Sequence, residues 1–580
     1  MASRIGSIES NRSATPPPRR PAALPRPTDH PMSGSFERHA RTVTLLTLVS
    51  RVTGLARDAT LARLFGAGPL MDAFNFGFTV PNLFRRLFGE GALTASFLPV
   101  YARLDRDDPA RARAFAGAML GGVAVLLAAI TLIGEAALAL VRDSGADRGA
   151  DAGIGIELLM IMLPFMPFVC LTALLGAVLQ VHHRFGPTAA SPILLNLAVV
   201  AAGLVGAPPV ASKLLGHELD PAMHVRIVAA SVVLAGAGQV LWSWLALRRS
   251  GIRLALRGPR LSEPIRETIR KVLPMLVGLG VFQLNTAVDA LIASWRTMVG
   301  PTFFGIEWPL EEGSLTVLTC AQRLYEFPLG VFGVAVATAI FPAMARESHD
   351  AAAFLTTLRR GLRLTVFIGL PASAALVAMR DPLAATLFQG GRFTPEDSEM
   401  VAWVLLGYAP AIWAYSMQQV ATRAFYALGD SMTPMRVALG MVVLNLALNL
   451  ILIWTPLGVA GLAWSTAIAA IAQISILMAL LSRRVGAVVD RQVASSWSRS
   501  LVCAVVTGAA VAVAAWISNR FVGAALGGDA WLAALVALAA STLSGCGAAL
   551  LCVRLLGLEE FGWLLRGRPS DTTHNGSRSA

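Results

Sequence analysis

The sequence predicts an all-α, polytopic membrane protein: fourteen transmembrane helices, as two six-helix lobes in parallel repeat plus two C-terminal helices. Three observations predict it. Charge is scarce: 14% of the 580 residues are charged, 55% are hydrophobic and the mean hydropathy is +0.63, where a soluble domain carries about 25% charged residues. Apolar stretches near the ~20 residues a spanning helix needs recur from Thr42 to Val553, leaving no gap for a soluble catalytic domain. Finally, basic loops alternate with acidic or sparse ones.

The first segment, residues 1–38, is rich in Pro, Arg and Ser without an apolar core. It reads as a disordered cytoplasmic tail, neither a signal peptide nor a span. An N-lobe, 39–250, holds spans 42–65, 72–102, 113–141, 154–181, 188–206 and 224–247. A C-lobe, 251–483, holds 266–297, 314–345, 354–379, 399–427, 434–454 and 458–482. The segment 484–558 adds spans 498–518 and 530–553, and 559–580 closes the chain as a cytoplasmic tail. Several spans exceed the bilayer and are expected to tilt or bend, with bends at Pro81, Pro99, Pro164 and Pro167. One set of loops carries Arg103, Arg106, Arg111 and Arg113, then Arg184, then the basic run from Arg248 to Lys271, then Arg346. The opposite set carries Asp143, Asp147 and Asp151, then Glu307, Glu311 and Glu312, then Glu396, Asp397 and Glu399. Lys/Arg bias places both termini in the cytoplasm, and an even number of spans keeps the alternation.

Two pairs of matches suggest duplication. FLPVYAR (97–103), ending span two, resembles IFPAMAR (340–346), ending span eight. GPTAASPILLN (186–196) resembles SMTPMRVALGMVVLN (431–445), with Asn196 and Asn445 standing 249 residues apart. Each pair is separated by six spans, the expected signature of parallel repeats.

Ionisable residues inside spans are costly and usually face a cavity. The first two spans contain Arg51, Arg57, Asp58, Arg63, Asp72, Arg85, Arg86 and Glu90, and span eight carries Arg323 with Glu326 one turn on. Arg63 lies near a helix end, where snorkelling to the interface is the simpler reading. Arg51, Arg57, Arg85 and Arg323 lie deeper, and the nearby carboxylates are too few to neutralise them. Surplus guanidinium in a cavity calls for an anionic ligand, and planar forked donors suit phosphate or diphosphate. Other chemistry finds little support. The net charge of +13 forms no continuous stripe, which argues against nucleic acid. The five cysteines lack metal-type spacing and read as small hydrophobes. GAGQV (236–240) follows no strand, and His182 and His183 fall in a polar turn. Without a phosphate-binding loop, no nucleotide cofactor is expected, and energy must come from an ion gradient, the membrane potential or downstream consumption of the cargo.

The stretch running from SRVTGLARDATLARLFGAGPLMDAF to SFLPVYA (50–102) closely resembles the MurJ (MviN) family of lipid II flippases, in the MOP exporter superfamily. RLYEFPLGVFGVAVATAIFP (323–342) and LFQGGRFT (387–394) resemble its other signatures, and the likeness extends over about residues 40–560. The resemblance implies a two-lobed bundle in the bacterial inner membrane that moves the undecaprenyl-diphosphate-linked disaccharide–pentapeptide by alternating access, without bond chemistry. It places the family's cavity arginines on Arg51, Arg57, Arg85 and Arg323, and a cavity carboxylate on Asp58. Asp72 and Glu90 match acidic positions that gate the cavity or orient its arginines, and Glu326, one turn from Arg323, is given the same kind of role. The last two helices would form a groove for the polyprenyl tail. Some members hold sodium in the second lobe, which implies a site of Asp289, Asn445, Asn449 and Thr466, with sodium or a proton as coupling ion. Asn449 departs from the pattern, standing where a carboxylate is expected. Lipid II and membrane lipids are the implied partners of a monomer, with the cell-wall synthesis machinery nearby.

Two rival readings remain. An O-antigen, polysaccharide or multidrug exporter of the same superfamily shares the helix count, although cationic drugs would favour carboxylates over clustered arginines. A non-transporting scaffold for envelope synthesis predicts dispensable interior charges and important surface loops.

Overall fold

The computed structural model describes residues 32–89, 92–143, 150–254, 262–522 and 530–566. The expected tail over residues 1–31 and the last residues, 567–580, lie outside these. The chain is nearly all helical. The first half comprises α1 (Met32–Phe65), α2 (Pro69–Phe84), α3 (Ala92–Asp107), α4 (Pro109–Asp143), α5 (Ala150–Met162), α6 (Phe165–Val181), α7 (Gly186–Gly206), α8 (Pro208–Leu215) and α9 (Pro221–Arg249). The second comprises α10 (Glu263–Ala293), α11 (Trp295–Met298), α12 (Ser314–Pro328), α13 (Val334–Arg346), α14 (Ala351–Ala378) and α15 (Arg380–Phe388). It continues with α16 (Pro395–Tyr408), α17 (Ile412–Ala427), α18 (Met432–Leu452) and α19 (Ala460–Val485). The chain closes with α20 (Arg491–Ile517), α21 (Ala530–Leu555) and α22 (Glu559–Arg566). Among the described residues, ten helices are long and apolar enough to cross a membrane, α18, α20 and α21 among them. Many of their apolar side chains are exposed, including Leu132, Leu234 and Leu543; hydrocarbon, not water, is the solvent such a surface fits.

Prolines interrupt the helices where their missing N–H removes a backbone bond. Four residues after Pro81 the backbone relaxes into a π-helical turn, Arg85–Gly89, and directly after Pro328 into a second, Leu329–Gly333. Pro164 separates α5 from α6, and a 3-10 turn at Ala409–Ala411 separates α16 from α17. At Pro99 and Pro167 the helices run on unbroken.

Within the first half, α1 packs on α7, α7 on α9, α2 on α5, and α4 and α9 on α6. Within the second half, α18 packs on α19, α12 on α16, and α14 and α19 on α17. The halves meet where α2 touches α10 and α12, α1 touches α12 and α15, and α3 touches α10. Two expectations are corrected at the chain's ends. Residues 32–38, placed in the disordered tail, belong to α1, which starts directly after the last of the tail's prolines. Residues 559–566, placed in the C-terminal tail, form α22, which is docked: Glu560 is buried and pairs with Arg363 at 2.8 Å, accepts from the Ser496 hydroxyl at 2.6 Å, and lies near Trp563, whose ring sits under Arg363.

Candidate functional site

A polar cavity lies where the halves meet, lined by α1, α2, α7, α9, α10 and α12, with a volume of about 80 Å³. Its charges come from both sides. On α1, Arg57 donates from Nε and Nη2 to Asp58 Oδ1 at 2.8 and 2.7 Å, and from Nη1 to Asn196 Oδ1 at 3.1 Å. On α12, Arg323 donates from Nε to the other oxygen of Asp58 at 2.8 Å and from Nη1 to Glu326 at 3.4 Å. Asp58 therefore holds one arginine from each half. Phe78 lies beneath the Arg57 guanidinium, 5.4 Å from its ring centre, and limits that arginine's hydration. With Arg86, the cavity lining carries three guanidiniums against two carboxylates, Asp58 and Glu326.

Helical spacing explains who reaches this cavity. On α2 and the turn after it, Asn75, Thr79, Asn82 and Arg86 follow at i, i+4, i+7 and i+11 and share one face. On α12, Thr319, Gln322, Arg323 and Glu326 do the same, and Gln283 and Thr286 face them from α10. Of the residues predicted to bind substrate, Arg57, Asp58 and Arg323 line the cavity. Arg51 and Arg85 do not line it, which corrects their expected placement for this conformation. Arg85 sits one position off the stripe and donates to Asn82 Oδ1 at 2.8 Å. Arg51 lays its guanidinium on the second π turn, where a Cβ on Gly330 would overlap both of its terminal nitrogens. The sequence pointed to the arginines but not to Asn75, Asn82, Gln283 and Gln322; the signal was the periodic stripe.

Asp72 is fully buried and touches no arginine in the contacts described. Its carboxylate instead caps the start of α12 from across the halves, accepting from Gly313 N at 2.7 Å, Thr316 N at 2.8 Å and the Thr316 hydroxyl at 2.7 Å. It does not stand beside the arginines it was expected to orient. Beside it the α1–α2 turn is pressed against Gly313, whose φ of 88° and contact with the Ala67 carbonyl leave no room for a Cβ. The LFQGGRFT segment makes a second close contact between the halves. Arg392 N donates to Arg63 O at 2.8 Å, and Gly391, at φ 59°, approaches that same carbonyl too closely for a side chain. Arg63 does not snorkel. Its Nη2 donates to Thr386 O at 3.0 Å, because α15 covers the end of α1. Glu326 stays beside Arg323, as an orienting role requires, while Glu90 lies outside the described residues.

A second polar cluster sits inside the second half. Asn449 donates its amide to Asp289 Oδ1 at 2.5 Å and to Asn445 Oδ1 at 3.2 Å, and Asn285 donates to Asp289 Oδ2 at 3.3 Å. Asn445 donates to Ser465 and Thr466 at 3.3 Å each, and Ser465 donates to Asn449 Oδ1. The four residues predicted to hold a cation, Asp289, Asn445, Asn449 and Thr466, are thus brought together with Ser465. The set is all oxygen donors with one carboxylate, chemistry that fits a hard monovalent cation. In this arrangement the Asn449 amide N–H occupies the carboxylate, so a bound cation would need that amide turned to offer its oxygen.

Residues 61–527 match the sequence model of the family described as "Lipid II flippase MurJ". A "Probable lipid II flippase MurJ" of Vibrio cholerae serotype O1 is 31% identical over 449 residues, 75% of this chain and 81% of that protein. The "Lipid II flippase MurJ" of Burkholderia cenocepacia is 31% identical over 448 residues, 74% of this chain and 80% of that one. Among solved structures, "Lipid II flippase MurJ, inward closed conformation" superposes with a TM-score of 0.67 at 20% identity, covering 89% of this chain and 99% of that chain. An inward-facing multidrug resistance MATE family transporter of the MOP superfamily superposes at 0.60 with 16% identity, covering 77% of this chain and 98% of that one.

Proposed function

Because the chain belongs to the lipid II flippase MurJ family, we propose that it carries lipid II from the cytoplasmic to the periplasmic leaflet, holding the diphosphate on the guanidiniums of its central cavity. The observation that carries this reading is the shared carboxylate: Asp58 holds Arg57 and Arg323 in place at the seam, and with Arg86 the lining carries one more guanidinium than Asp58 and Glu326 balance. A diphosphate supplies the missing counter-charge and accepts forked donors from both halves. Arg86 adds to this set, while Arg51 and Arg85 are assigned to the open state. Asp72 latches the outer side, with Glu90 beside the first π turn in sequence and Glu326 orienting Arg323.

Ten apolar spans, and the long helical stretches around the interior charges, support a fourteen-span bundle with both termini cytoplasmic. The recurring packing scheme, and the two π turns lying close before FLPVYAR and IFPAMAR, support two duplicated lobes. The last two spans, α20 and α21, are assigned to the polyprenyl tail. A monovalent cation, held by Asp289, Asn445, Asn449, Ser465 and Thr466, is the candidate coupling ion, with a proton on Asp289 as its rival. The working unit is a monomer, handing its cargo to cell-wall synthesis enzymes.

The test is complementation. Arg57→Ala and Arg323→Ala should each abolish growth of a flippase-depleted strain while the proteins still insert, and neither should bind lipid II detectably by native mass spectrometry. Normal growth with both replaced would remove the proposed roles. The MATE-like fold keeps a drug-exporter reading in view; preferential binding of cationic dyes over lipid II would favour it.

A further inference from the structure

The segment between α10 and α12 folds into an antiparallel hairpin, Thr302–Phe303 with Ile306–Glu307, that takes no part in the cavity. Its register pairs Phe303 with Ile306 and Thr302 with Glu307. Paired residues share a face, so one face is apolar and the other polar. At the tip Phe304 adopts φ 50°, a conformation unfavourable for a bulky side chain, and is 92% exposed, with Phe303 and Ile306 also exposed. In water such a surface would be a liability.

The aromatic rings behind it show what the hairpin meets. Phe303 lies 5.3 Å from Trp295, Trp295 lies 5.1 Å from Trp308, and Trp308 lies 6.1 Å from Trp454. Trp454 stands just past the end of α18, a helix long and apolar enough to span. Trp403 is tied to the same turn, its indole N–H donating to Leu457 O at 3.4 Å. A band of tryptophans where spans end marks the boundary between hydrocarbon and water, the level that aromatic side chains prefer.

We infer that this hairpin is an interfacial anchor, burying Phe303, Phe304 and Ile306 in the lipid headgroup boundary where α10 and α18 end. The occupant is lipid, because the apolar face continues the tryptophan band, while Glu307 and Thr302 occupy the opposite face and remain in water. In the proposed sidedness this is the outer leaflet. Gly313 and the start of α12, which Asp72 caps, follow within a few residues, so the anchor holds one side of the outer seal at the membrane surface.

Collision measurements on a spin label test this. The full chain carries Phe304→Cys, with the exposed Cys546 replaced by Ala; the other four cysteines are buried and resist labelling. In vesicles of phosphatidylethanolamine and phosphatidylglycerol, the label should meet oxygen several-fold more often, relative to a water-soluble nickel chelate, than a label at the exposed Glu311 does. Equal or greater access to nickel would place the tip in water and overturn the inference. Shielding from both collision partners would mean a protein covers it, and would overturn it as well.

Discussion

At the scale of single residues, the seam depends on Asp58. Removing it leaves Arg57 and Arg323 facing each other with only Glu326, 3.4 Å from Arg323, as counter-charge. Breaking a fully buried ion pair costs about 3–5 kcal/mol. Because the Arg323 side chain is 32% exposed, solvent screens part of this, and Asp58→Ala is expected to cost on the order of 2 kcal/mol. Thermal unfolding in detergent should show a clear drop, and adding Arg323→Ala should recover part of it by removing one repelling charge. A double variant less stable than Asp58→Ala alone would contradict the shared-carboxylate account. Asp72 is tested differently, because it is a helix cap rather than an ion-pair partner. Asp72→Ala strands the Gly313 and Thr316 N–H groups, a loss of about 1–2 kcal/mol, and should raise thiol labelling of an Ala67→Cys probe at the seal. Unchanged labelling would show that the cap does not hold the seal shut. The deep charges were legible in the sequence, since arginine among apolar residues has few explanations. The amides were not, because a single Asn or Gln is tolerated in a span and only its register with other polar residues marks it.

At the scale of elements, prolines and glycines announce most of the breaks. Pro81, Pro164 and Pro328 precede or sit at real interruptions, whereas Pro99 and Pro167 do not. Pro99 lies inside α3 without ending it, while Pro167 stands in the first turn of α6, where its missing N–H has no helical partner to lose. The paired glycines of LFQGGRFT acquire their meaning only in three dimensions, where the α1 carbonyl at Arg63 approaches them. Gly391→Ala combines a left-handed conformation that costs about 1–2 kcal/mol with a direct overlap, and should destabilise the sealed state. Gly186→Ala, with nothing within 4 Å of its new methyl, is the matched control and should behave as wild type in both unfolding and complementation. The start of α18 gives a pH-dependent case. The Thr433 hydroxyl and backbone N–H, with a contribution from Arg484, hold the Asp430 carboxyl down at about 2. A depressed carboxylate stabilises the fold above its unfolded value near 3.8 and loses that contribution as pH falls through the folded one. The stability gap between wild type and Asp430→Ala should therefore be constant from pH 8 to 5 and narrow below pH 4; a gap that narrowed around pH 6 would point to a different group.

At the scale of the whole molecule, a nearly all-helical chain with many apolar spans could be read from hydropathy, but the state of the bundle could not. Sequence spacing fixes which face a residue occupies, not how far apart the two halves stand. The cavity, at about 80 Å³, has room for a few water molecules and none for a sugar diphosphate, so cargo can enter only if the halves separate. Separation must break the contacts that cross the seam on the Asp72 side, where Asn75 donates to the Thr316 hydroxyl at 3.2 Å. Replacing both residues with cysteine puts two thiols where these side chains meet. If transport requires the halves to part there, oxidising the Asn75→Cys/Thr316→Cys protein should join them and stop growth of a depleted strain, and a reductant should restore it, with either single variant insensitive to both treatments. The single variants also separate the crosslink from the loss of the Thr316 hydroxyl, because that loss persists under reduction. Sustained growth of the oxidised double variant, with the crosslink verified on the purified protein, would mean that this seam stays shut throughout the cycle and that cargo leaves by another route.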